Sequence, residues 1–198
     1  MASYAATFDI APPQKFDRVH IAIRIAILII LSIPASAVYL GIPVVAAIQI
    51  SQRGAERYLS EASENMTKWL RTLVAFFAYL SLLTDRFPTE EPKDTLHFDV
   101  ATSGSPTVGS TLMRIILAIP HVIALWALGI VAGVLALIAA IMILIQETYP
   151  EGIYNYLRGV LRWETRLFAY VASLVDEYPP FALDTGSEGA APAPPSAG

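Results

Sequence analysis

The sequence predicts an all-α integral membrane protein. It is read as two tandem repeats, each a long apolar helix or helical hairpin followed by an amphipathic interfacial helix, with a short two-stranded β ribbon as a further element. Three observations predict this class. No Asp, Glu, Lys or Arg falls between Ile25 and Gln52, and none between Ile115 and Gln146; charge is costly in hydrocarbon, which about 20 apolar residues suffice to span. The 198-residue chain is 55% hydrophobic and only 15% charged, where a soluble domain carries about 25% charge. Short segments also recur in the same order at an offset of about 90 residues, the mark of an internal repeat.

Each copy opens on a β-prone alternating segment, Phe8-Asp9-Ile10-Ala11 and Phe98-Asp99-Val100-Ala101. The two segments can pair as a ribbon, which needs a partner surface because two strands alone are marginal. Polar linkers follow, Pro12 to Phe16 and Thr102 to Ser110. Arg24 and Arg114 then launch the apolar runs, in which Ile30-Leu31-Ser32-Ile33-Pro34 matches Ile116-Leu117-Ala118-Ile119-Pro120. Amphipathic helices come next, roughly Ala55 to Leu83, stopped by Pro88, and Glu151 to Val175, stopped by Pro179-Pro180. Pro150 suits the start of the second. Within them Arg71 matches Arg162, and Phe77-Ala78-Tyr79 matches Phe168-Ala169-Tyr170. The copies close on Leu83-Thr84-Asp85-Arg86-Phe87-Pro88 and Leu174-Val175-Asp176-Glu177-Tyr178-Pro179. The division is therefore 1–95, 96–184 and a Gly/Ala/Pro tail, 185–198, with no apolar face to hold it in order.

At helical rise the runs measure about 40 and about 48 Å, against a hydrocarbon core of about 30 Å. One tilted helix per run fits, and so do two half-helices turning near Gly41-Ile42-Pro43 and Gly129 to Gly133. The hairpin is preferred, since it puts all Lys and Arg on one membrane face and lays the amphipathic helices at the cytoplasmic surface. The amino-terminal segment lacks the basic n-region and short apolar core of a secretory signal, so the first run is read as retained.

Several classes of chemistry are disfavoured. The net charge of −4 speaks against nucleic acid, which prefers a basic face. With no Cys there is no disulfide, thiolate site or thiol nucleophile. No nucleophile–base pair, phosphate loop or metal-ligand spacing occurs, so no catalytic residue, metal or cofactor is expected.

Copy two carries Ile119-Pro120-His121, Tyr149-Pro150, Arg162-Trp163, Arg166, Ala169-Tyr170 and Asp176-Glu177-Tyr178-Pro179-Pro180-Phe181. This pattern resembles the bacterial membrane-protein family catalogued as domain of unknown function 4389, and it covers most of copy two. Copy one looks like a diverged version, with Ala35 where copy two has His121. The resemblance implies a helical membrane protein and no assigned activity.

Four sets of residues are candidates for contact. Arg158, Arg162 and Arg166 share a helical face, with Trp163 beside them; such a stripe binds anionic headgroups or a partner, or is solvated, or pairs with acids such as Glu164 and the Asp176-Glu177 pair. Arg24 and Arg114 read as interface anchors that snorkel, with a salt bridge to Asp9 or Asp99 as the alternative. Gly129, Ala132, Gly133 and Ala136 offer a small-residue face for helix packing. Asp176, Tyr178, Pro179 and Phe181 read as a structural clasp; two acids at a helix carboxyl end need a nearby Arg to offset the macrodipole. His121 has no companion ligand and is expected to make an interfacial hydrogen bond. Trp69, Tyr79, Trp163 and Tyr170 are placed like an aromatic belt.

The functional expectation is a non-enzymatic subunit of the bacterial inner membrane, multi-pass or re-entrant. Its partners would be the bilayer, anionic lipids among them, and other membrane subunits or its own copies. Transport or lipid binding is the alternative, because duplicated Gly/Pro-interrupted segments occur in transporters.

Overall fold

The computed structural model describes residues 4–13, 35–88, 96–146 and 149–184, with Ile21, Ile23, Arg24 and Ile27 as further helical positions. Most of the first apolar run before Ala35, the end of the first linker and the tail lie outside the described residues.

The chain is mostly helical, with one small sheet. Strand β1 (Ala6–Ile10) pairs antiparallel with β2 (Leu96–Val100), and Phe8 stands directly opposite Phe98. Alternation explains the ribbon: Ala6, Phe8, Ile10, Leu96 and Phe98 are buried, while His97 and Asp99 face out. Helix α1 is Ala35–Arg53. A short turn (Ala55–Arg57) and a π-helical stretch (Tyr58–Ala62) lead into α2 (Ser63–Leu80). Helix α3 is Val108–Gln146 and α4 is Glu151–Val171.

The preferred hairpin is corrected here. Helix α3 runs unbroken through Gly129 and Gly133, and α1 runs unbroken through Gly41 and Pro43. Glycine weakens a helix by about 1 kcal/mol, less than the cost of the backbone groups a mid-run turn would strip of partners. Proline at 120 removes one donor, yet the helix continues on either side.

Helix α4 is the second departure. Its sequence pattern places it at a surface, and instead it forms the centre. From Leu157 to Val171 every residue except part-buried Glu164 is buried. Helices α1, α2 and α3 and strand β1 pack against it. The segment after it crosses so closely that a Cβ on Gly159 would stand 3.1 Å from the Asp184 carbonyl oxygen.

Both amphipathic helices end earlier than the pattern suggests, and in the same way. The Leu83 amide donates to the Ala78 carbonyl at 2.9 Å, and the Leu174 amide donates to the Ala169 carbonyl at 3.1 Å. The residue before each is left-handed, Leu82 at φ 61° and Ser173 at φ 56°. These reversals aim the following aspartates, Asp85 and Asp176, back towards the launching arginines.

Candidate functional site

The launching arginines are buried, not snorkelled. Arg24 pairs with Asp85 at 2.6 Å and lies over the Tyr79 ring at 4.1 Å. Arg114 pairs with Asp176 at 2.7 Å and lies over the Tyr170 ring at 4.5 Å. Arg114 also donates to the carbonyls of Tyr170 and Val175. Asp85 and Asp176 thus fill the role expected of Asp9 or Asp99. The reason is local: the left-handed turn leaves carbonyls and an aspartate at a helix carboxyl end, where a cation is favoured.

The arginines of the expected stripe also turn inward. Arg162, 1% exposed, donates to the Phe8 carbonyl at 3.0 Å, to Asp9 at 3.2 Å and to the Asp184 carbonyl at 2.6 Å. Arg158 reaches Asp9 at 3.6 Å, and Arg166 pairs with Asp184 at 2.6 Å. The sequence offered Glu164 and the Asp176-Glu177 pair as acids for this stripe; the strand and the 176–184 segment supply Asp9 and Asp184 instead. The stripe is therefore an internal network in this chain, not an open headgroup face. In the first half Arg71 donates to the Phe98 carbonyl at 2.9 Å and to Asp99 at 3.3 Å. Arg71 and Arg162 thus each grip the strand of the other half.

The Asp-Glu-Tyr-Pro-Pro-Phe segment closes over His121. The Trp163 indole N–H donates to His121 Nδ1 at 2.9 Å. Phe181 stacks on the imidazole, with centroids 4.0 Å apart and planes at 12°, and Tyr178 stands 4.8 Å away. The Tyr178 hydroxyl donates to the Leu117 carbonyl at 3.0 Å, in the turn that Pro120 weakens. Gly104, at φ 85°, approaches the base of this segment; a Cβ there would lie 2.7 Å from that of Asp176. Pro179, between Tyr178 and Pro180, is buried.

The small-residue face divides. Ala132 and Ala136 pack against the core, whereas a Cβ on Gly129 or Gly133 would meet nothing within 4 Å. The aromatic belt divides as well. Trp69 is exposed, while Tyr79, Trp163 and Tyr170 are buried and used by the contacts above. Sequence reasoning missed Asp85 as the partner of Arg24, offered Asp9 to Arg24 and Arg114 where it pairs with Arg158 and Arg162, and missed Asp184. The recurrence of Phe-Asp and of Asp85/Asp176 was the available signal for the first two; nothing in the pattern marked Asp184.

Among the described residues no group of three His, Cys, Asp or Glu is arranged to hold a metal. Chemically the arrangement is one of buried charge paired with aspartates and carbonyls: guanidinium groups clamp backbone turns and a ribbon. Fold and site together define a mostly helical protein with one long apolar helix and an arginine-clamped core. Residues 109–182 match the model of a family described as "Domain of unknown function (DUF4389)", as the resemblance of copy two indicated. The match takes in α3, α4 and the segment over His121. No curated protein and no solved structure matches the chain.

Proposed function

We propose that the chain is a non-enzymatic integral membrane protein of the bacterial inner membrane. It acts as an accessory or structural subunit that packs against a larger membrane complex or its own copies. The observation that carries this reading is the outer face of α3. Of an 18-residue apolar window in that helix only 17% is buried. Ile123 is 62% exposed, Trp126 70% and Ile145 73%. A core helix of a soluble protein would be covered, and contiguous apolar exposure on this scale marks a membrane or protein contact.

The exposed face runs from Leu112 to Ile145, roughly 50 Å of helix, against a hydrocarbon core of about 30 Å. Tilt takes up some of the surplus, and a protein neighbour covers the rest. Two tandem repeats, 1–95 and 96–184 with the tail beyond, are supported by equivalent contacts: Arg24–Asp85 with Arg114–Asp176, the left-handed Leu82 with Ser173, and the exchanged grips of Arg71 and Arg162. The counterpart rings Phe77 and Phe168 stack at 6.0 Å, as Phe8 and Phe98 pair across the ribbon.

Mass measurement after purification in mild detergent tests the subunit reading. An assembly larger than one chain, or a co-purifying partner, is the expected result. A lone stable monomer would count decisively against it.

A further inference from the structure

Among the described residues, most of the large exposed apolar side chains lie on two helices that pack side by side. Helix α1 presents Leu40, Val44, Val45 and Ile48, and α3 presents a run from Leu112 to Ile145. These two helices pack on each other and on α4, while the ribbon packs on α4 and α2. The layers are therefore α1 with α3, then α2 with α4, then the ribbon. Helix α1 runs antiparallel to α3. Ile21, upstream of α1, clusters with Ala139, Ala140 and Ile143. Tyr58, downstream of α1, donates its hydroxyl to the Ala172 carbonyl, next to the bond that Ser173 makes to Thr111 at the start of α3.

The other layers expose ionisable groups along the whole length of that apolar run. Helix α4 returns along α3, with Trp163 on His121 and the Tyr156 hydroxyl on the Leu128 carbonyl. Strand β1 lies along α4, its Phe8 carbonyl held by Arg162 and its Ile10 carbonyl by the Tyr154 hydroxyl. The ribbon is thus level with the middle of α3, and there His97 and Asp99 are each 64% exposed. Level with the start of α3 stands Asp176, 66% exposed beside Arg114. Level with its end stands exposed Glu151, two residues before Ile153, which packs on the Ala139–Ile143 cluster. A crossing takes about 20 residues. Wherever those 20 are placed on α3, they draw at least one of these exposed groups into hydrocarbon, where ionisable side chains are costly.

We infer that the α1/α3 face docks flat on one leaflet of a phospholipid bilayer, with α3 in the membrane plane and the ribbon in water. This rests on the membrane reading of α3 and takes the tilt of that helix to its limit. A helix lying in the interface buries its apolar face about 5–10 Å deep whatever its length, so a 50 Å run has no mismatch to absorb. The two copies, antiparallel within the plane, meet the same leaflet alike, and the exposed charges of the ribbon and of α2 stay in water.

The test uses the full chain, which has no native cysteine, in right-side-out and in inverted bacterial inner-membrane vesicles. Single cysteines are probed with a membrane-impermeant maleimide. Gly109→Cys and Gly152→Cys sit near the two ends of α3, where an added Cβ meets nothing within 4 Å. His97→Cys reports the ribbon and Ile130→Cys the apolar face. We expect positions 109, 152 and 97 to label in the same one of the two preparations. Position 130 should label in neither until the membrane is dissolved in SDS. Labelling of 109 and 152 in opposite preparations would overturn the docking in favour of a crossing helix. An unlabelled His97→Cys, an Ile130→Cys that labels before SDS, or any variant labelled in both preparations would also overturn it. Assembly is read separately: one-sided labelling of a lone monomer refutes only the subunit reading, and opposite-sided labelling in an assembly refutes only the docking. A chain absent from the vesicles refutes the membrane reading and the docking with it.

Discussion

Single side chains decide how the ends of the helices are closed. Arg114 satisfies two carbonyls and an aspartate from a position that is 4% exposed. Replacing it with Ala strands those acceptors, and we expect a loss of about 3 kcal/mol in denaturant unfolding. Arg114→Lys should recover only part of this, since an ammonium cannot reproduce the fork. Gly104→Ala forces a side chain into a left-handed position against Asp176; a loss of about 2 kcal/mol is expected by the same measurement. Trp163→Phe keeps the packing on Phe181 but removes the bond to His121, so its cost should be near 1 kcal/mol. The sequence marked most of these residues as notable. It misplaced the arginines because a lone Arg at the mouth of an apolar run looks the same whether it snorkels or is clamped. The difference is made by Asp85 and Asp176, which lie about 60 residues further on.

Among elements, the ribbon and the two amphipathic helices α2 and α4 depend on one another. Arg162 reaches its strand carbonyl from full burial, whereas the Arg71–Asp99 pair is partly open, with Asp99 64% exposed. Arg162→Ala should therefore cost about 3 kcal/mol and Arg71→Ala about 1, both read from thermal unfolding. Equal costs would show that burial does not set their weight. Strand alternation and helical periodicity made the ribbon and the helices legible. The hairpin was not excluded by sequence, because Gly-rich and Pro-containing stretches mark a turn or a tolerated weak point equally well. Helix α4 looked amphipathic because its arginines were counted as a wet face; β1 and the 176–184 segment cover that face and supply its counter-charges. No periodicity argument within one helix reports what covers it.

At the scale of the whole molecule, five arginine side chains are drawn inward while an apolar helix face is turned out. That inversion suits a hydrocarbon solvent, where every backbone and charged group needs an internal partner. A charge placed in the middle of the outer face, such as Ile130→Arg, should reduce the amount of chain recovered in membranes while leaving a buried-site contact such as Trp163–His121 untouched. The chain has no cysteine, so single spin-labelled cysteines can be placed without further change. The most direct measurement is their collision rate with oxygen and with a water-soluble nickel chelate in liposomes, at Ile123, Ile130 and Leu137. Lipid as the solvent of α3 predicts frequent oxygen collisions and almost none with nickel at all three sites. Nickel access matching that of an exposed surface residue such as Trp69 would contradict the account.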